Sequence, residues 1–290
     1  MAPEYYVFTG RDGERVPWHV THVLIAKALK FVPARAFMRH PNIQEVICHD
    51  GLVKIGKYAF YKCPSLRRIV MPGVKDIEAS AFYHCESLTC MECGKLERIG
   101  EYAFVGCTSL SSIDLPSIKI VREDAFTGCK NLINANFGKE LESIGGMEFY
   151  RCTSLERVTI PLKMNLFADD NVFLGCKKLN HVDLVGGVYE TIAALLMEEW
   201  KRDMNEEIGT VNRILPNTPS GDWTDVGEKV RTIRTWISSV LHKYNNYKAQ
   251  HHRYLNEAAA ILQRALPNDI LFKNVLPFVE LPSDTFGGED

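Results

Sequence analysis

Six cysteines recur at nearly constant spacing and constrain the fold of this 290-residue chain more than any other feature. The gaps between them are 22, 22, 22, 23 and 24 residues, with phenylalanine three positions before each cysteine and leucine three positions after it. The six are Cys63, Cys85, Cys107, Cys129, Cys152 and Cys176. This regularity indicates a structural repeat, not a disulfide framework. Because no secretory signal precedes the repeats, we expect free thiols.

A period of 22 to 24 residues is too short for two full helices and fits one strand with a tight return. No single repeat can bury its apolar residues, so like residues must stack at the strand spacing of ~4.8 Å. A degenerate copy has His40 in the cysteine place, and an earlier strand around Val23 matches in part. We therefore predict seven to eight rungs, with distortion at residues 163–172, where the pattern fades.

The segments IGKYAFYKCPSLRRIVMP, IGEYAFVGCTSLSSIDLP and IGGMEFYRCTSLERVTIP resemble BspA-type leucine-rich repeats over roughly residues 20 to 185. The whole chain also resembles a large set of diatom proteins that carry these repeats. The resemblance implies a right-handed solenoid that usually binds protein, and it implies no catalysis. The predicted class is α/β, a right-handed leucine-rich repeat solenoid followed by an all-α antiparallel helical hairpin. Residues 1–187 would form the solenoid with an N-terminal cap, and residues 188–290 the helical domain.

Strand alternation predicts two outward columns of side chains on the sheet face. The first contains His22, Glu45, Arg68, Cys90, Ser112, Asn134, Arg157 and His181. The second contains Leu24, Ile47, Val70, Glu92, Asp114, Asn136, Thr159 and Asp183, and changes from aliphatic to polar. The candidate binding residues are Arg68, Val70, Glu92, Ser112, Asp114, Asn134, Asn136, Arg157, Thr159, His181 and Asp183. The alternative is an ordinary solvated sheet face.

After Leu184 the apolar period becomes helical. Residues 188–215 predict one helix, PNTPSGDW at 216–223 interrupts it, and residues 224–266 predict a longer helix with a heptad seam. The longer helix would leave Tyr247, His251, Tyr254 and Ala258 beyond the end of its partner. The apolar tail, the solenoid or a second chain could cover them, or the helix could bend at Asn245 and Asn246. A short helix is expected near the C-terminus.

The remaining signals argue against several function classes. A net charge of −2 disfavours a general nucleic-acid binder. The absence of a signal sequence or an apolar span favours a cytoplasmic protein that is neither secreted nor membrane-bound, with the nucleus as the alternative. Cys90 and Cys93 are three apart on a strand and point to opposite faces, so no metal site is expected. Glu92 and Asp114 occupy neighbouring rungs without a partner acid, and we expect no enzyme and no cofactor.

Three functional hypotheses remain. The first is a protein-interaction module whose sheet face binds a partner protein. The second is a structural protein that forms a homodimer through its long helices, with the repeats as a spacer. The third, an enzyme, would need a deep cleft with convergent ionisable groups.

Overall fold

The computed structural model describes residues 5–219, 227–262 and 264. Among these residues the chain forms parallel sheets stacked as a solenoid, followed by helices. The main sheet begins with β1 (Tyr5–Phe8), β2 (His22–Ile25), β4 (Glu45–Ile47), β6 (Arg68–Val70) and β8 (Cys90–Glu92). It resumes with β10 (Ser112–Leu115), β12 (Asn134–Phe137), β14 (Arg157–Ile160) and β15 (His181–Leu184).

A second sheet of two-residue strands forms the opposite side of each rung. It comprises β3 (Phe31–Val32), β5 (Lys54–Ile55), β7 (Asp76–Ile77), β9 (Arg98–Ile99), β11 (Ile120–Val121) and β13 (Ser143–Ile144). The last rung contributes only an isolated bridge between Ile144 and Phe167. This confirms the predicted distortion at residues 163–172, where the isoleucine-glycine step is missing.

Stacked phenylalanine rings form the centre of the solenoid. Their centroids are 4.8 to 5.7 Å apart between consecutive rungs, close to the spacing of hydrogen-bonded strands. The rings belong to Phe37, Phe60, Phe82, Phe104, Phe126, Phe149 and Phe173, and all are buried. Each buried ring contributes roughly 2 kcal/mol to folding, so the ladder is a major part of the core.

The ladder cysteines add a hydrogen bond between rungs that the sequence analysis did not anticipate. The thiol of Cys85 donates to the backbone carbonyl of Phe60 at 3.0 Å, and the other five ladder cysteines repeat this contact with the phenylalanine of the preceding rung. All nine cysteines are free thiols in the structure. The carbonyl of Phe60 also accepts the backbone N–H of Cys63 at 3.2 Å, and the other ladder carbonyls are bonded in the same way within their own turn. Each ladder thiol therefore adds a second bond, which connects successive rungs, as well as filling space.

The N-terminal end contains a strand that the sequence analysis missed. β1 pairs in parallel with β2 and extends the main sheet by one strand. In the first repeat, His40 occupies the position that is cysteine in later repeats, and its Nε2 lies 3.1 Å from the carbonyl oxygen of Pro17. The ring of Trp18 stacks on His40 with centroids 5.9 Å apart. These contacts form the N-terminal cap of the core.

The main sheet is interrupted between β8 and β10, which are not paired with each other. The second sheet is continuous across the same rungs, because β9 pairs with both β7 and β11. The buried core is also continuous there, since Leu88, Cys107 and Leu110 are fully buried. The sheet of seven to eight rungs expected from the sequence therefore consists of two sheets that share one core.

The first helical segment differs from the single helix predicted for residues 188–215. It consists of α1 (Val188–Ala193), α2 (Glu198–Ile214) and a 3₁₀ turn over Leu215–Asn217. At the break between α1 and α2, Leu195, not the expected Leu196, is buried, five positions before the buried Trp200. A five-residue step does not fit the period of an α-helix.

The second helix, α3 (Glu228–Leu262), is continuous through Asn245 and Asn246, where the sequence allowed a bend. It contacts α2 in reverse order: Trp236 Nε1 donates to the carbonyl of Glu207 at 3.1 Å, and Tyr247 stacks on Trp200 at 5.2 Å. The predicted helix start at 224 and the C-terminal helix lie outside the described residues. The right-handed sense of the solenoid stays a prediction.

Lys229 joins the helices to the solenoid. Its Nζ donates to the carbonyl oxygens of Leu179, at 2.5 Å, and Leu215, at 2.9 Å, and its side chain is buried. Burial lowers the pKa of this ammonium from its usual value. Burying this ammonium group is compatible with folding because it donates hydrogen bonds to two carbonyl oxygens, one in the last rung and one at the end of α2.

Candidate protein-binding face

The outer surface of the main sheet, here called the main-sheet face, contains both predicted columns of side chains. Strand pairing places Glu45 opposite Arg68 and Arg68 opposite Cys90, and places Ser112, Asn134, Arg157 and His181 in line. The second column is aligned in the same way, from Leu24 to Glu92 and from Asp114 to Asp183. All eleven predicted binding residues therefore lie on one face, divided by the interruption after Glu92.

The N-terminal half of this face contains a network of alternating charges. Arg68 donates to Glu45 at 2.5 Å and to Glu92 at 2.6 Å, and the hydroxyl of Tyr5 donates to Glu45 at 2.6 Å. The hydrogen bond from Tyr5, with the guanidinium of Arg68, lowers the pKa of Glu45. Arg68 is paired with a carboxylate on each side, so this predicted residue is already engaged within the chain.

An aliphatic strip runs beside this network. Val70, Ile47 and Leu24 occupy it as predicted, and β1 adds Val7, which is 51% exposed. Neither Val7 nor Tyr5 was predicted, because the first strand has no repeat pattern of its own. The signal that could have found them is the alternation in YYVF.

The middle of the face has the most open polar groups. Ser112 and Asp114 are exposed and Asn134 is half-buried, and none of their side chains makes a hydrogen bond or ion pair with another described residue. Asn136 differs, because its Oδ1 accepts a hydrogen bond from Thr159 Oγ1 at 3.1 Å. The three open side chains offer donors and acceptors to a partner without breaking an internal contact.

The C-terminal end of the face is closed by α2. The side-chain amide of Asn212 accepts from the backbone N–H of Val182 at 2.8 Å and donates to its carbonyl at 3.3 Å. It thus occupies the free edge of β15, where another strand could otherwise pair. His181 Nε2 lies 3.2 Å from Asn212 Nδ2, and Asp183 pairs with Arg157. His181 and Asp183 are consequently parts of the cap as well as of the predicted face.

Cys90 and Cys93 form the cysteine pair of this face that the sequence offers as metal ligands. Cys93 is buried and Cys90 is half-exposed, as expected for opposite faces of a strand. Within residues 5–219, 227–262 and 264, no group of three or more histidine, cysteine or carboxylate side chains is placed to hold a metal ion. Among the helices in these ranges, none combines the length and apolar composition needed to cross a bilayer.

The stacked rungs, the phenylalanine ladder and the exposed parallel sheet define a leucine-rich repeat solenoid protein. The family model described as "BspA type Leucine rich repeat region" matches in six copies over residues 30–117 and 75–193. The chain therefore belongs to the BspA-type leucine-rich repeat family. Proteins of this family are generally non-enzymatic, and the repeat fold is a typical protein-interaction scaffold.

Solved structures of bacterial leucine-rich repeat proteins are similar to the chain. The T. pallidum leucine-rich repeat protein is 26% identical, with 61% of this chain and 78% of that chain covered and a TM-score of 0.49. A Bacteroides ovatus leucine-rich repeat protein is 23% identical, with coverages of 57% and 61% and a TM-score of 0.37. The pneumococcal vaccine antigen PcpA is 17% identical, with coverages of 64% and 66% and a TM-score of 0.35. The comparison with curated proteins gave no match.

Proposed function

We propose that the chain is a non-enzymatic interaction module that binds a partner protein on the main-sheet face. The observation that carries this proposal is the set of open polar groups on Ser112, Asp114 and Asn134 in the middle of that face. They lie on paired strands in fixed register, so their spacing is set by the backbone and not by mobile loops. A rigid array of this kind binds with little loss of conformational entropy.

The surroundings of these residues fit the anatomy of a protein interface. The aliphatic strip of Val7, Leu24, Ile47 and Val70 offers apolar area beside the polar groups. The ion pairs of Arg68 and Arg157 lie on either side of these polar residues. They would set the orientation of the bound partner more than its affinity. The partner expected here is a folded protein with an apolar patch next to hydrogen-bonding groups.

Affinity capture with quantitative mass spectrometry tests the proposal with charge-matched variants of the full chain. Glu92→Arg with Asp114→Arg reverses two charges on the face, whereas Glu140→Arg with Glu142→Arg reverses two exposed charges away from it. The first pair should lower recovery of the partner roughly tenfold, and the second should leave recovery unchanged. Equal recovery from both variants would refute binding on this face.

Self-association through the long helices is the second candidate. The seam residues Val230, Ile233, Ile237, Val240 and Tyr244 are buried within the single chain, so a dimer would form through the part of α3 that follows them. The large apolar side chains that are exposed on α3 are Tyr254, 40% exposed, and Ile261, 68% exposed. Light scattering coupled to size exclusion decides: a concentration-dependent dimer that Ile261→Glu abolishes supports this candidate, and a strict monomer removes it.

A further inference from the structure

A second surface of the solenoid contains an unusual excess of positive charge. It lies on the turn segments that connect a second-sheet strand to the next main-sheet strand, near the N-terminal end of the solenoid. The basic turn surface is defined by Arg35, Arg39, Lys57, Tyr58, Tyr61 and Lys62. All four cations are exposed, both tyrosines are half-buried, and no described carboxylate forms an ion pair with any of the four.

The tyrosine rings of this surface are covered by cations and by one another. The guanidinium of Arg35 lies 5.7 Å from the ring centre of Tyr58, with Lys57 Nζ at 5.2 Å, and Lys62 Nζ lies 5.5 Å from the ring centre of Tyr61. Tyr61 also stacks on Tyr83 of the next rung at 5.0 Å. The groups left for a ligand are ammonium and guanidinium groups, hydroxyls and the electropositive ring edges.

The excess of positive charge is confined to the basic turn surface and does not extend to neighbouring positions on the second sheet. There Lys54 pairs with Glu78 at 2.5 Å and Arg98 pairs with Asp76 at 3.4 Å. Glu78 also accepts a hydrogen bond from the backbone N–H of Lys57 at 2.8 Å, so its oxygens are engaged. Charges on the second sheet are therefore neutralised in pairs, whereas those on the basic turn surface are not.

The backbone of this surface is left-handed at two of its cations. Arg39 and Lys62 have φ angles of 60° and 54°, in the region that strains residues with a Cβ. At the same position of later repeats, Gly106, Gly128 and Gly175 adopt φ angles of 70°, 72° and 81° without that strain, whereas His84 and Arg151 adopt 53° and 57°. The strain is therefore shared with repeats outside the basic turn surface, and the clustering of cations without ion pairs is what distinguishes this surface.

We propose that the basic turn surface is a second binding site, separate from the main-sheet face, for an acidic peptide segment of a partner protein. Carboxylates along an extended peptide would meet cations from successive rungs, which are separated by the strand spacing of ~4.8 Å. Single-stranded nucleic acid would need open ring faces for base stacking, and these are occupied. A membrane surface would need exposed apolar side chains, whereas Tyr58 and Tyr61 are half-buried.

Fluorescence anisotropy with a fluorescein-labelled decaglutamate peptide tests the proposal on the full chain. The wild type should bind the peptide, and binding should weaken as salt rises. Lys57→Glu with Lys62→Glu should weaken binding roughly tenfold. The control, Lys95→Glu with Lys139→Glu, makes the same change in net charge at two exposed lysines elsewhere and should alter binding less than about twofold.

Three results would overturn the proposal: no binding of the peptide by the wild type, equal weakening by both double variants, or tighter binding of labelled decauridylate or phosphatidylserine vesicles than of the peptide. Circular dichroism checks that each variant is folded. If Lys57→Glu with Lys62→Glu unfolds, Lys57→Gln with Lys62→Gln replaces it and should weaken binding about threefold. Unchanged affinity in that folded variant would also refute the site.

Discussion

The thiol of Cys107 donates a hydrogen bond to the backbone carbonyl oxygen of Phe82, one rung earlier, across 3.2 Å. Both residues are fully buried, and burial raises the pKa of this thiol well above its usual value. The thiol therefore stays protonated and remains a donor. The ladder cysteines connect the rungs, and none of them is suited to act as a nucleophile.

Removal of this donor should destabilise the solenoid. Cys107→Ala removes the bond between rungs and opens a small cavity, although the carbonyl of Phe82 keeps the backbone N–H of Cys85 as a donor at 3.1 Å. We expect a loss of about 1–2 kcal/mol in the free energy of unfolding, measured in urea. Cys90→Ala is the control, because Cys90 is half-exposed and not on the ladder; it should cost less than about 0.5 kcal/mol. Equal losses for the two variants would show that the interior thiol bond is unimportant.

The buried carboxyl of Glu148 should make stability depend on pH. Glu148 occupies a place that is alanine in five other repeats, such as Ala125, and its side chain is fully buried. Burial, with the nearby charges of Asp124 and Glu123, raises its pKa from 4.5 to about 8. The unfolded chain therefore loses its proton at lower pH than the folded chain, and stability falls as pH rises from 4.5 towards 8.

The loss across this pH range should be on the order of 4 kcal/mol. Glu148→Ala should remove most of the dependence and stabilise the protein at pH 8, while having little effect near pH 4.5. Urea unfolding at several pH values measures both effects, with Glu142→Ala, at an exposed glutamate, as the control. A variant with the same pH slope as the wild type would contradict the assignment to Glu148.

Lys229 should couple the helices to the last rung. Lys229→Met keeps the aliphatic stem but removes the ammonium donor to the carbonyls of Leu179 and Leu215, of which Leu215 keeps the backbone N–H of Thr218 at 3.1 Å. The change should cost about 1–3 kcal/mol. Hydrogen exchange should show faster opening of α2 and α3 than of the central rungs. Lys248→Met, at an exposed position of α3, should leave exchange unchanged. Uniform acceleration across solenoid and helices would show that Lys229 is not a local link.

Asn212 should protect the edge of β15. Asn212→Ala removes both hydrogen bonds to Val182 and exposes the strand edge, so we expect a loss of about 1–3 kcal/mol and increased association of chains. Urea unfolding and light scattering measure the two effects. Asn205→Ala is the control, at an exposed position of the same helix. A variant as stable and as monomeric as the control would refute edge capping.

The repeat spacing was sufficient to predict the solenoid, the buried phenylalanine and cysteine ladders and the alignment of the two outward columns. The reason is that the period of a strand fixes which face each residue occupies, and stacking places equal positions together. The helical stripe likewise predicted α3. The break before α2 was missed because Leu195 and Leu196 are chemically equivalent in a pattern, and only packing selects the one that is buried.

What the sequence by itself determined is therefore everything that recurs: the rungs, their core and the composition of their exposed face. The tertiary structure alone decided the contacts that occur once, including β1 on the first rung, Asn212 on the last strand and Lys229 between solenoid and helices. It also revealed the interruption between β8 and β10. Repeated contacts leave a period in the sequence, whereas a single contact between distant residues depends on how the completed elements meet in space.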